Sequence, residues 1–212
     1  MLEIRQLELG PLANFIYVLA DKETGEALVI DPAWDVASIG KLLDQEGWKL
    51  KAAVLTHNHF DHINGLGDIL KFADIPIYIH KNDAAEVAKD FAHNLKPISG
   101  GETISLGACD FRFLHTPGHT EGSQCLEVNQ NLVTGDTLFI GGCGRVDLPN
   151  SDPEKMYASL KKIATLDDRI TVLPGHNYGP TPTGALSKEK QENPYLQLAA
   201  GSSLADFLRV VG

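Results

Sequence analysis

The chain has 212 residues, 43% of them hydrophobic, which is enough to bury a full core as one large domain or two closely packed halves. A formal charge of −10 argues against partners that present phosphates, whether nucleic acid or an anionic membrane. Cys109, Cys125 and Cys143 are too few, and odd in number, for a disulfide framework.

No apolar run reaches membrane-spanning length and Met1-Leu2-Glu3-Ile4-Arg5 lacks the basic start of a secretion signal, so the cytoplasm is the expected location. Residues 2–9 alternate as a strand and stop at Gly10-Pro11. Apolar runs at 15–19 and 27–30 flank Asp21 to Gly25 and predict a hairpin. Asp35 is placed to cap a helix that ends at Gly47, with Val36, Ile39, Leu42 and Leu43 on one face. A strand over 50–56 follows, then a short helix near 65–73, a buried strand over 76–79, and a helix near 83–91 with Asn82 as its cap.

A second half opens near Ile98, with hairpins over 102–115 and 123–134. Ser151-Asp152-Pro153 starts a helix that runs to about Leu166, with proline at its first position. A strand over 170–173 leads to a C-terminal loop with one or two short helices. The halves share a plan: hairpins, a helix, then a β-rich run ending in histidine, at His57 and again at His176.

Thr56-His57-Asn58-His59-Phe60-Asp61-His62 packs three imidazoles and one carboxylate into six positions directly after an apolar run. On an extended segment His57, His59 and Asp61 point one way, and His62 needs the backbone to turn. Imidazole with carboxylate, and no cysteine, suits zinc, iron or manganese. The stretch resembles the T-H-x-H-x-D-H motif of the metallo-β-lactamase superfamily.

That resemblance implies an α/β fold, the αββα four-layer sandwich, with residues 1–212 as a single domain of two similar halves. It also implies two divalent metal ions, most readily zinc, with iron or manganese as alternatives. His57, His59 and His119 would hold one ion and Asp61, His62 and His176 the other. Asp136, in Gly135-Asp136-Thr137, would bridge them, and Asp61 and Asp136 would count as catalytic. Two ions about 3.5–4 Å apart would turn a bridging water into a nucleophile at neutral pH.

The run Gly135 to Arg145, G-D-T-L-F-I-G-G-C-G-R, is similar to glyoxalase II, the hydroxyacylglutathione hydrolases. By that resemblance Arg145 would hold a glycine carboxylate of glutathione and Tyr178 would hold the thiol carrier, as a guanidinium suits a carboxylate. The implied reaction is hydrolysis of S-2-hydroxyacylglutathione or a related small-molecule thioester, with no nucleic-acid or membrane partner. Two features depart from the classical enzymes: only some 35 residues follow His176, and Val146-Asp147-Leu148-Pro149 lacks the usual aromatic residue. The G-C-G-R-x-D run is shared with persulfide dioxygenases, which use one iron, and this is the alternative function. Cys143 is expected to be a structural thiol, since the nearby histidines are assigned to metal.

Overall fold

The computed structural model describes residues 1–211. Strands β1 (Leu2–Leu9), β2 (Asn14–Asp21) and β3 (Glu26–Ile30) form an antiparallel meander. Helix α1 (Val36–Glu46) crosses to β4 (Lys49–Val54), which lies parallel to β3. Helices α2 (Phe60–Ile63) and α3 (Leu66–Phe72) lead to β5 (Ile77–His80), and α4 (Ala84–Phe91) leads to β6 (Leu95–Ile98). The first sheet has the order β1-β2-β3-β4-β5-β6, mixed in direction.

The second sheet begins with β7 (Thr103–Leu106), β8 (Cys109–His115), β9 (Gln124–Val128) and β10 (Asn131–Gly135), all antiparallel neighbours. A small hairpin of β11 (Leu138–Phe139) and β12 (Gly142–Cys143) precedes α5 (Pro153–Ala164). Strand β13 (Thr171–Pro174) returns parallel to β10, and β14 (Gly184–Ala185) pairs on its outer side. Helices α6 (Leu186–Glu192), α7 (Pro194–Gly201) and α8 (Leu204–Val211) follow. The order is β14-β13-β10-β9-β8-β7.

Three apolar clusters separate four layers. Phe15, Tyr17, Leu28 and Val54 face Phe111, Phe113, Leu126 and Val133 between the sheets. The opposite face of the first sheet, with Ile16, Val18, Val29 and Leu55, packs on Ile39, Ile69 and Val87 of the outer helices. Leu114, Leu132 and Val172 do the same on the far side, against Met156, Leu160 and Phe207. Both faces of each sheet are therefore covered, which is why β2 is buried at all eight positions rather than alternating. The αββα sandwich is the observed fold.

The helix signals in the sequence work as chemistry predicts. Asp35 accepts from the Ser38 amide, and Gly47 ends α1 at φ 68°. Asp152 accepts from the amides of Glu154 and Lys155, with Pro153 behind it. Several expectations are corrected. Strand β4 ends at Val54 rather than at 56, and Asp61 sits on the helical turn α2 rather than along a strand; His62 lies on that turn, as expected. Asp83, not Asn82, is the residue before α4; Asn82 instead donates to Glu121 O at 3.4 Å. Residues 95–98 form a parallel edge strand of the first sheet despite Pro97, a placement open to proline only at an edge. The C-terminal segment holds three helices, with Leu186, Leu196 and Phe207 buried on the second sheet.

One buried hydroxyl ties the sheets beside the site. Tyr17 donates to Pro174 O at 2.7 Å and accepts from Gln6 Nε2 at 2.9 Å. Tyr17→Phe leaves the Pro174 carbonyl without this donor, while Gln6 Nε2 keeps Pro182 O at 3.1 Å, and unfolding in denaturant should show a loss of about 1–3 kcal/mol. An unchanged midpoint and slope would mean the bond adds nothing net.

Candidate metal centre

The seven expected ligands come together where strands of both sheets end. His57 and His59 follow β4, and Asp61 and His62 lie on α2. His119 is in the β8–β9 connection, Asp136 directly follows β10, and His176 lies two residues beyond β13. Two glycines allow this approach. Gly118, at φ 146°, lies so close to the Met156 backbone that a Cβ would collide with it, and a Cβ on Gly175 would strike the Asp136 carboxylate.

Side-chain donors form two groups, His57 with His59 and His119, and Asp61 with His62 and His176, each with its donor atoms within 4.8 Å of one another. His57 Nε2 stands 3.1 Å from His59 Nδ1, and His62 Nε2 stands 3.1 Å from His176 Nε2. Asp61 Oδ2 is 3.5 Å from both His62 Nε2 and His176 Nε2. Tetrahedral ligands about 2.1 Å from zinc lie about 3.4 Å apart, so these spacings are those of ligand edges. Asp136 faces both groups, with Oδ2 3.5 Å from His119 Nε2 and Oδ1 3.5 Å from His62 Nε2. His119 Nε2 and Asp136 Oδ1 are buried without a hydrogen-bond partner, which bound ions would supply. The donors fit two divalent ions.

Four of the five imidazoles are held from behind through their other nitrogen. His57 Nδ1 meets Thr56 Oγ1 at 3.0 Å, His62 Nδ1 meets Asp31 Oδ2 at 2.9 Å, and His176 Nδ1 meets Leu12 O at 2.9 Å. His119 Nδ1 meets Arg145 O at 2.8 Å. Such partners fix ring orientation and leave the opposite nitrogen for metal. Asn14 Nδ2 donates to Asp61 Oδ2 at 2.9 Å, while Asn14 Oδ1 accepts from Trp34 Nε1 at 2.8 Å.

No role for Asp31 or Asn14 is read from the sequence. A polar residue at the tip of an apolar strand was the available signal. Asp31, His57 and His62 also bring donors within 4.8 Å, but Asp31 is already engaged by Thr56 and by His62 Nδ1, so it supports the site rather than forming a third one.

A cavity of about 490 Å³ opens above the donors, and both expected substrate contacts line it. Tyr178 stacks on His176, centroids 4.5 Å apart and planes 8° apart. Arg145 lies on the wall, but its guanidinium is taken by Asp147, at 2.9 Å through Nε and 2.9 Å through Nη2. The role sequence reasoning missed is that of its carbonyl, which holds His119.

Residues 9–176 match the model of the Metallo-beta-lactamase superfamily. The chain belongs to that superfamily. It is 32% identical over 186 residues to the "Probable polyketide biosynthesis zinc-dependent hydrolase PksB" of Bacillus subtilis, covering 87% of this chain and 82% of that one. It is 36% identical over 166 residues to a hydroxyacylglutathione hydrolase of Salmonella typhi, covering 78% of this chain and 62% of the relative. Among solved structures, ETHE1 from Myxococcus xanthus superposes with TM-score 0.88 at 28% identity, over 99% of this chain and 89% of that one. The donor set and these relatives make this superfamily member a metal-dependent hydrolase. Among the described residues no helix is long and apolar enough to cross a membrane.

The two donor groups of this metallo-beta-lactamase-type centre differ in protonation before metal binds. Burial, with the neighbouring His119, pushes His59 down to about 4, and burial pushes His57 well below its usual value. Burial also opposes charge on His62, but Asp136, Asp31 and Asp61 outweigh it and lift its pKa to about 9. Asp136 is buried too, yet His62, His176 and His57 hold it far below the usual carboxylate range.

At pH 7 His57 and His59 are therefore neutral and ready to ligate, whereas His62 carries a proton that metal must displace. Loading of the second group should release protons from His62 and from His176, whose pKa, against burial, Asp136 also raises, and its affinity should climb as pH rises towards 9. Calorimetry in buffers of different ionisation enthalpy would read this. A second ion bound with pH-independent affinity between 6 and 9 would contradict it.

Proposed function

We propose that this metal-dependent hydrolase cleaves thioesters of a small thiol carrier, with S-2-hydroxyacylglutathione as the representative substrate. The observation that carries this is the placement of Tyr178 and Arg145 on the walls of the cavity whose floor holds both donor groups. The run from Gly135 to Arg145 and the similarity to a hydroxyacylglutathione hydrolase support it. Leu12, Phe60 and Tyr178, all large and exposed, gather on the rim of the same cavity, which suits a hydrocarbon stem beside the reacting sulfur.

His57, His59, His119 and the shared Asp136 would hold one ion, and Asp61, His62 and His176 with Asp136 the other. When bound, the ions supply a nucleophilic water at neutral pH and polarise the acyl carbonyl. Hydrolysis joins the water oxygen to the acyl carbon, breaks the C–S bond and passes a proton to the departing thiolate. Asp61, its Oδ2 held by Asn14 and open to the cavity, is the carboxylate placed to carry that proton. Arg145 would receive a carrier carboxylate by exchanging it for Asp147, since an exposed ion pair is weak and readily replaced.

The zinc-loaded protein should hydrolyse S-lactoylglutathione without consuming oxygen, followed by thiol release and an oxygen electrode. A persulfide dioxygenase needs one redox-active iron and no second donor group; the convergence of Asp61, His62 and His176 favours the hydrolase. Oxygen uptake with glutathione persulfide by the iron form, with no thioester cleavage in any metal form, would overturn the assignment. Arg145→Ala should raise KM for the glutathione thioester several-fold with a smaller change in kcat, the pattern of a contact made equally in ground and transition states. An unchanged KM with metal content intact would remove Arg145 from substrate binding.

A further inference from the structure

The three histidines of the first group ride on two separate loops, His57 and His59 on the one after β4 and His119 on the one between β8 and β9. At their bases these loops are joined by the Gln124 amide, which donates to Thr56 O at 2.9 Å. Nearer the ligands they meet on Asp83, a residue from a third element and buried to 3% exposure. Its Oδ2 accepts from the amide of Asn58, between His57 and His59, at 3.2 Å. The same oxygen accepts from Thr120 Oγ1, the residue after His119, at 2.7 Å. Oδ1 accepts from the Gly122 amide at 2.8 Å.

The enclosure is close enough that a Cβ on Gly122 would collide with the Asp83 carboxyl group. Neither the metal donors nor the cavity over them include Asp83. The second donor group rests on other supports: Asp31 behind His62, Asn14 behind Asp61, and Leu12 O behind His176.

We propose that Asp83 is a positioning residue for the first ion alone, a carboxylate clamp that sets the distance between the His57–His59 loop and the His119 loop. His59 depends on it most, because its loop is pinned at Asn58 and a small shift there moves the donor nitrogen. The clamp acts on metal affinity whatever the substrate is, so it stands apart from the thioester assignment.

The two ions are separated by background variants of the full chain. In His176→Ala the first group is intact, and in His119→Ala the second is intact. Zinc affinity is read in each by competition with a chromophoric chelator, and unfolding of the metal-free forms by thermal melting. Adding Asp83→Ala to the His176→Ala background should weaken zinc binding about 10–100-fold, the usual effect of removing a residue that orients ligands. Adding it to His119→Ala should change affinity by less than about twofold, well below that range. Asp83→Asn keeps one acceptor oxygen and should fall between wild type and Asp83→Ala.

Equal affinity with and without Asp83 in the His176→Ala background would overturn the proposal. So would parallel losses in both backgrounds that track a lowered metal-free melting temperature, because a general structural role predicts that. If Asp83→Ala does not fold, Asp83→Asn decides by the same comparison. Failure of both to fold would make Asp83 a stability element and end the proposal.

Discussion

The centre depends on one buried carboxylate that never faces a substrate. Asp31, at φ 51° just past β3, takes the Thr56 amide at 2.7 Å, the Thr56 hydroxyl at 2.6 Å and His62 Nδ1 at 2.9 Å. A buried anion requires such partners, and here they are the residue that opens the metal stretch and one of its ligands. The turn from β4 into α2 is thereby locked to the neighbouring strand. His62 is oriented, and through Thr56 so is His57. Without that anchor the Thr56 amide, the Thr56 hydroxyl and His62 Nδ1 would lose their shared partner.

Most of the metal centre was legible because its donors are chemically rare and closely spaced. His57, His59, Asp61 and His62 stand out in any order of reading, while His119, Asp136 and His176 follow from the family resemblance that this stretch carries. The four-layer arrangement came with the family resemblance, and its elements were legible because sheets covered on both faces leave continuous apolar runs separated by helix caps, which Asp35, Gly47 and Asp152 mark plainly. The supports were not legible. Asp31, Asn14 and Asp83 act through contacts 25 to 47 residues away, as in Asp31 to Thr56 and Asn14 to Asp61, and each is a residue type that ends strands or starts helices in any protein. The edge strand at Pro97 was hidden because its partner, not its own composition, makes it a strand.

The substrate side is built differently from the metal side. Every metal donor is buried or partly buried, and His57, His62, His119, His176 and Asp61 are each held by a fixed partner, so most of this geometry exists before anything binds. Tyr178, Phe60 and Arg145 are exposed, and Arg145 is engaged by an equally exposed Asp147. Such groups tune which molecule is held without disturbing the chemistry beneath. That division is one physical reason why relatives with about a third of their residues in common carry different substrate names over the same fold.

The origin of the donors has a mechanical consequence. Asp61 and the three neighbouring histidines belong to the first sheet's half of the chain, whereas His119, Asp136 and His176 belong to the second. Each ion would therefore be a cross-link between the sheets, one closing a loop of 60 residues from His59 to His119 and the other a loop of 114 from His62 to His176. A chelator acting on such a molecule does more than silence it. It cuts the rivets at one rim of the sandwich and leaves the apolar layer between the sheets to hold that edge alone, so the metal-depleted form should open from this rim first.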